Sequence, residues 1–414
     1  MASGGPQGLV LQRHVDGGQA VVEFGLDDVR YLRSDAGKLA LDEVARYGLS
    51  GPTLISDIAA VRSLFAERAA ILVETVMLRR QAAAKLADFV NVSEWLFTGE
   101  ALQQATAGPV AEHRARRLAG AAVHDATCSI GTELAVLRNW ADLVVGSDLD
   151  PVRLAMARNN VGDASDIALC RADALRPVTA DTVVVVDPAR RSGSRRRFDP
   201  RTYLPPLDQL LEVLRGRDYV VKCAPGVDFA ALREMGFDGE VEVTSLAGSV
   251  REACLWSRGL TNTRVRRRAT ILDTAEQVTD AEPDSCPVAP AGRWIVDPDG
   301  AVVRAGLVRH YGTKHGLWQL DPNIAYLSGD RLPDGVRGFE VLEQVAFSER
   351  QLRQALSARA VGAVEILVRG VDIDPDALRS RLRLRGAAHV SVVIARLGSG
   401  VTSRATAFIC RPSR

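Results

Sequence analysis

The sequence predicts an α/β protein: an open, mostly parallel sheet in mid-chain, preceded by helices and followed by an α+β tail. Three observations carry that expectation. Between residues 121 and 187 four apolar runs, each ending at or just before an aspartate, alternate with helical patterns. The runs lack polar–apolar alternation, as do strands that helices bury on both faces. From residue 339 onward strand and helix patterns alternate again in shorter units.

The elements follow in chain order. Residues 1–26 open with Gly, Pro and Ser and are expected to form a flexible N-terminus. Residues 27–117 show only helical spacing: Leu54, Ile55, Ile58, Val61, Leu64 and Phe65, then Leu72, Val76, Ala83 and Leu86. Arg79, Arg80 and Lys85 lie off most of that stripe, as a solvated face or as phosphate contacts. The stretch from Leu96 to Thr106 leads into His113-Arg114-Ala115-Arg116-Arg117, immediately before the first strand. It reads as either a lid over a site or a packing linker.

The centre of the chain begins with Ala121-Ala122-Val123, which ends on His124 and Asp125. A turn of small residues, Ala126 to Thr132, precedes a helical pattern from Glu133. The second strand runs from Leu143 to Asp148, and Asp150-Pro151 then caps and starts a helix. The third, Ile167 to Cys170, runs into Arg171-Ala172-Asp173; the fourth, Thr182 to Val186, runs into Asp187-Pro188-Ala189-Arg190. The C-terminal edge of an open parallel sheet is where such folds bind ligands. One aspartate at a strand end is usually a cap or turn residue; four in succession favour a nucleotide-type ligand. Asp148 is placed to accept both hydroxyls of a ribose, and Asp173 to accept from an exocyclic adenine amine. The small residues of the first turn let its backbone approach the ligand closely.

These residues resemble a class I S-adenosylmethionine-dependent methyltransferase. His124-Asp125-Ala126-Thr127-Cys128-Ser129-Ile130-Gly131 resembles the family's first motif, Gly146-Ser147-Asp148 its second, Ala172-Asp173-Ala174 its third and Asp187-Pro188-Ala189-Arg190 its fourth. A dinucleotide unit fits less well, because no Gly-x-Gly-x-x-Gly follows the first strand. Glu240 to Leu246 and Arg251 to Trp256, joined by Ala247-Gly248-Ser249, resemble the family's closing hairpin. The resemblance implies a Rossmann-like core over residues 118–260, with S-adenosyl-L-methionine held by Asp125, Thr127, Cys128, Gly131, Asp148, Leu149, Asp173 and Ala174. It departs at Ser129, where the family usually has glycine.

After Arg190 come Arg191-Ser192-Gly193-Ser194-Arg195-Arg196-Arg197, five arginines in eight residues on the ligand edge. A charge run is usually a solvated face; beside the fourth motif, Arg191, Arg195, Arg196 and Arg197 are candidate contacts to a nucleic-acid backbone. Lys222, on the fifth strand Tyr219 to Cys223, is a further candidate substrate contact. Beyond, Arg264 to Leu272 reads as a strand, 276–291 as a loop, and Asp297-Pro298-Asp299-Gly300 as a hairpin turn or strand-to-helix junction. Residues 261–335 are expected to form a small α+β connecting domain. In 336–414 strands are expected at 339–347, 363–368, 389–395 and 405–410, with helices at 348–358 and 374–383. In outline this ferredoxin-like α+β tail resembles the THUMP-like domain of some bacterial methyltransferases; true THUMP domains bind RNA.

With 52 Lys plus Arg against 51 Asp plus Glu, the chain is not a protein that coats nucleic acid by net charge. Six cysteines occur singly, without Cys-x-x-Cys, which points to reduced, mostly buried thiols and no zinc site. The first thirty residues lack a signal-peptide pattern, and no run of about twenty apolar residues suggests a membrane span. A cytoplasmic protein is the expectation.

Methyl transfer from a sulfonium is an in-line displacement that needs positioning above all. In amino-directed nucleic-acid methyltransferases the fourth motif is Asp/Asn-Pro-Pro-aromatic. Here Asp187 and Pro188 match, Ala189 replaces the second proline, and Arg190 offers a guanidinium plane that can stack on a base. The resemblance therefore implies Asp187, Pro188 and Arg190 as catalytic residues and RNA as the substrate, with amine methylation favoured. Asp-Pro-x-Arg also resembles RNA 5-methyluridine enzymes, which use a nucleophilic cysteine on the next strand, where Cys223 lies. Two other readings remain open: a non-catalytic RNA-binding protein on a degenerate fold, and a small-molecule or protein methyltransferase.

Overall fold

The structure, a computed structural model, describes residues 15, 16, 19, 20, 22–86, 92–162, 166–189, 191, 192, 195, 196 and 199–413. The chain forms two compact units, Met1–Asp238 with Leu255–Leu260, and Gly239–Cys254 with Thr261–Arg414. Most of the segment expected to be flexible, and the catalytic and substrate candidates Arg190 and Arg197, lie outside the described residues.

The first unit starts with a ribbon, β1 (Val15–Asp16) and β2 (Gln19–Ala20). Six helices follow: α1 (Leu26–Arg33), α2 (Asp35–Val44), α3 (Leu54–Phe65), α4 (Ala69–Leu86), α5 (Gly99–Gln104) and α6 (Gly108–Arg117). The apolar residues of α1 to α5 meet in one core with Leu72, Val61, Leu86 and Phe97, and Ile130 and Met156 of the sheet region belong to the same core. The cations of α4 reach carbonyls of neighbouring segments, and Arg80 and Lys85 remain exposed. Arg80 donates to the carbonyls of Ala45, Tyr47 and Gly48, Arg79 to that of Trp95, and Lys85 to those of Leu102 and Gln103. Arg80 and Lys85 thus satisfy carbonyls at the ends of α2 and α5.

Then come β3 (Ala122–Asp125), α7 (Thr132–Leu137), β4 (Leu143–Asp148), α8 (Pro151–Val161), β5 (Ile167–Arg171) and β6 (Val183–Val186). A short antiparallel ribbon, β7 (Arg191–Ser192) with β8 (Arg195–Arg196), precedes α9 (Leu207–Val213), β9 (Tyr219–Cys223) and α10 (Phe229–Glu234). Five of these strands are parallel, in the order β5-β4-β3-β6-β9. All four residues of β6 are buried, as a strand covered on both faces requires. Asp150 Oδ1 accepts from the N–H groups of Val152 and Arg153 at 2.8 and 3.3 Å, so α8 starts where Asp150-Pro151 placed it. The strand order turns about β3, with β4 on one side and β6 on the other. A Rossmann-like sheet opens its ligand crevice at that point, past the strand C-termini.

The second unit holds β10 (Gly239–Leu246) and the start of β11 (Ser249–Ser257), linked through Ala247 and Gly248 at φ +53° and +67°. β12 (Arg267–Ile271) runs parallel to β10, and β13 (Glu276–Thr279) pairs antiparallel with it. β13 lies where the sequence suggested only loop. Its single inward apolar residue, Val278, packs at 0% exposure opposite Ala269, too little to show as a period. After β14 (Trp294–Val296), Asp299 Oδ1 accepts the Ala301 N–H at 2.7 Å and starts α11 (Gly300–Arg304), so a strand-to-helix junction forms rather than a hairpin. The rest is α12 (Val308–Lys314), β15 (Trp318–Asp321), β16 (Ile324–Gly329), β17 (Gly338–Ala346), α13 (Glu349–Ala358), β18 (Val361–Arg369), α14 (Pro375–Leu382), β19 (Ala388–Leu397) and β20 (Arg404–Pro412). Their sheet has the order β15-β16-β14-β17-β20-β19-β18. Leu352, Leu356, Leu378 and Leu382 of its two long helices pack on Val364, Ile366, Val392 and Ile394. Among the described residues no helix is long and apolar enough to cross a membrane.

Candidate functional site

The C-terminal ends of β3, β4, β5, β6 and β9 open into a cavity of about 460 Å³ within the first unit. That volume suits a ligand of cofactor size. The turn after β3 forms its floor. Ala126 N–H donates to the Val185 carbonyl and Cys128 N–H to the Ser147 carbonyl, both at 2.9 Å, so the turn is tied to strands on either side. Gly131 stands at φ +86° before α7, and a Cβ there would lie 3.2 Å from Val161 and 3.4 Å from Ala157 of α8. Glycine therefore lets the two helices close under the turn.

Asp148 ends β4 at the cavity wall. Its Oδ2 accepts the Ser129 N–H at 3.0 Å and its Oδ1 accepts the Asp150 N–H at 2.9 Å. Each oxygen keeps a second lone-pair direction, so the carboxylate is held in orientation and still able to accept hydroxyls. Leu149 beside it is 58% exposed, an apolar surface at the cavity edge. Asp173 and Ala174, past β5, complete that side; Asp173 Oδ1 accepts the Leu175 N–H at 2.9 Å. Carboxylates aimed at a hydroxyl position, an apolar shelf and backbone brought close by small residues fit the ribose and adenine of S-adenosylmethionine.

On the opposite side lies a chain of buried charge. Asp187, just past β6, has its N–H bound by Thr127 Oγ1 at 2.7 Å and its Oδ2 2.6 Å from Lys222 Nζ. Lys222, 7% exposed on β9, also donates to Thr106 Oγ1 at 2.7 Å and lies 4.0 Å from Glu133 Oε2. Glu133 of α7 receives Arg114 of α6 through both carboxylate oxygens, at 2.6 to 2.9 Å, with Arg114 1% exposed. Burial pushes the Asp125 carboxyl up to about 7, Glu133 adding repulsion while the Thr127 N–H and Lys222 oppose it. Burial likewise pushes the Cys128 thiol well up, with Asp125 and Asp148 adding to it, so Cys128 is an uncharged wall group.

Of the residues that the sequence singled out, Asp125, Thr127, Cys128, Asp148, Leu149, Asp173, Ala174, Asp187 and Lys222 line the cavity. Gly131 supports it from below, and Pro188 is buried behind Asp187. The backbones of Arg191, Arg195 and Arg196 form the β7–β8 ribbon. Cys223 is 0% exposed and is not among the lining residues. Sequence reasoning missed Glu133, Arg114, Arg153, Thr132 and the Leu204–Pro206 wall. Ala101, Gln104, Ala105 and Thr106 line the cavity, so the stretch before β3 is a wall of the site. Arg153 of α8 pairs with Glu100 of α5 at 2.8 Å across that wall.

Ser129 holds φ +50°, the left-handed conformation that favours the glycine of the resembled motif. The serine thus keeps the turn's shape under strain. Ser129→Gly should raise the melting temperature by about 2–4 °C, as release of ~1 kcal/mol in a unit of this size would, with affinity for S-adenosylhomocysteine within about threefold of the original. Scanning calorimetry and titration calorimetry check the pair; a lower melting temperature would show the serine hydroxyl to be needed.

Comparison with known proteins agrees with this geometry. A family model described as THUMP domain-like matches residues 336–412, and one described as a domain of unknown function, DUF8688, matches residues 25–82. The chain is 66% identical over 358 residues to uncharacterized S-adenosylmethionine-dependent methyltransferases of Mycobacterium tuberculosis strains CDC 1551 and H37Rv, covering 86% of this chain and 100% of theirs. A crystal structure of a protein from Porphyromonas gingivalis W83, provisionally named a methyltransferase, superposes with a TM-score of 0.74 over 95% of this chain and 100% of that one. At 17% identity that likeness shows a shared fold.

Proposed function

Because this chain belongs to the family of S-adenosylmethionine-dependent methyltransferases, with S-adenosylmethionine as its cofactor, we propose that its acceptor is an exocyclic amine on a base of RNA. One observation carries the amine reading: Asp187 lines the cavity at the end of a buried central strand, whereas Cys223 is fully buried and outside the lining. A ring-adduct mechanism needs its cysteine at the base. Amine methylation needs an acceptor that turns the nitrogen lone pair toward the methyl. The cofactor supplies that methyl on a sulfonium. Thr127 fixes the Asp187 backbone, Pro188 contributes no N–H to the turn, and the carboxylate orients the amine. The RNA reading draws support from the THUMP domain-like match and from the arginines at 190–197. Cytoplasmic residence and the division at 26, 117, 260 and 335 belong to the same proposal.

Changing Arg195, Arg196 and Arg197 together to Ala tests the RNA half. RNA affinity should fall, and its logarithmic salt slope should flatten by ~0.7–0.9 for each phosphate that is no longer neutralised. Affinity for S-adenosylhomocysteine should stay put. Unchanged RNA binding at all salt concentrations would make the arginine run a solvated surface.

A further inference from the structure

A resident ammonium pairs with the carboxylate proposed to orient the acceptor nitrogen. Lys222 Nζ lies 2.6 Å from Asp187 Oδ2, on a side chain only 9% exposed. Nothing about that lysine is loose: Thr106 Oγ1 holds it from one side, Glu133 Oε2 stands 4.0 Å away, and Arg114 clamps Glu133 in turn. Among the charged groups near Asp187 are Lys222 of β9 and Asp125 of β3, while Glu133 of α7, with Arg114 of α6 behind it, stands by Lys222.

We propose that Lys222 is a positioning and specificity-determining residue: its ammonium occupies Asp187 Oδ2, so that the acceptor admitted beside it is a neutral aromatic amine and not an aliphatic ammonium. The inference rests on the reading of Asp187 as the group that orients the acceptor. An ion pair at one oxygen holds the carboxylate in orientation, and a carboxylate carries further lone-pair directions that can accept an N–H. An exocyclic amine on a nucleobase is uncharged at neutral pH and meets no repulsion there. An alkylammonium would bring a second cation within a few ångströms of Lys222, in a site that screens charge poorly. It would also compete for the oxygen that Lys222 already holds. Lys222 acts through Asp187; it is not assigned contact with the reacting atoms.

The experiment has two arms. Single-turnover methyl transfer to bulk RNA compares the wild type with Lys222→Met and Lys222→Arg. The Met variant should lose about 10²-fold in rate, the cost of a misplaced orienting group, while still binding S-adenosylhomocysteine. The acid limb of its pH profile should move to higher pH, because Asp187 loses the cation held 2.6 Å from its Oδ2. Lys222→Arg should recover at least tenfold of the loss, which a role in packing alone would not give. In the second arm, n-propylammonium is titrated into protein loaded with S-adenosylhomocysteine. It should bind Lys222→Ala, filling the vacated place, and not the wild type.

A Met variant at wild-type rate with an unmoved pH profile would overturn the proposal, as would propylammonium binding equally to wild type and Lys222→Ala. If the wild type methylates no RNA, the titration still decides Lys222, and only the RNA reading falls. If the Met and Ala variants fail to bind S-adenosylhomocysteine, the wild type decides alone: methyl transfer to propylamine as fast as to RNA would refute selection against alkylammonium.

Discussion

Asp187→Ala should cut single-turnover methyl transfer to RNA by about 10³-fold, the scale expected when a preorganised group that orients the reacting atom is removed. Binding of S-adenosylhomocysteine and of RNA should remain. The residue is only partly buried, with its side chain 34% exposed, and Lys222 keeps Thr106 and Glu133 as neighbours after the change, so the fold should tolerate it. Asp187→Asn retains an acceptor oxygen and should keep more activity than the alanine variant, within about tenfold of the wild type. Cys223→Ala should transfer methyl at nearly the wild-type rate. The three variants measured together separate the mechanisms. Full activity in Asp187→Ala ends the amine mechanism, and an inactive Cys223→Ala that still binds S-adenosylhomocysteine promotes the covalent route.

Asp148→Ala should weaken S-adenosylhomocysteine binding by at least about 10²-fold. Two ribose hydroxyls left unpaired cost ~1–3 kcal/mol each, and each 1.4 kcal/mol is tenfold in affinity. The backbone N–H groups of Ser129 and Asp150 lose their acceptor as well, so the turn proposed to carry the cofactor loosens. Asp148→Asn keeps one acceptor oxygen and should fall between the two. Titration calorimetry reads all three affinities, and an alanine variant as tight as the wild type would remove Asp148 from the cofactor site.

What the sequence made legible, and what it did not, divides along the range of the interactions. Asp125, Asp148, Asp173 and Asp187 were readable because each ends a strand whose apolar run is local, and the sheet then brings the ends together. Asp150 was readable as a cap for the same reason. Glu133 and Arg114 were not. In the chain they look like an ordinary first-turn acid and one member of a basic run; only packing of α6 on α7 makes them a buried pair. The carbonyl partners of Arg79, Arg80 and Lys85 were not readable, because periodicity does not show which carbonyls lie within reach. β13 is short with a single buried residue, and β15 and β16 are buried at nearly every position, so none of them declares a period of two.

The pairing of Arg114 with Glu133 also bears on how such a protein can be inherited. One partner lies in the helical front and the other in the first turn after the sheet begins. Asn160 of α8 ties the same two regions, accepting the Leu96 N–H and donating to the Leu96 and Ile130 carbonyls. A recombination event that exchanged the front for an unrelated segment would take Arg114 from Glu133 and both Leu96 contacts from Asn160, a loss of several kcal/mol. The two stretches are therefore one unit for exchange, in which a swap of either costs the other its buried partners, however separable they look along the chain.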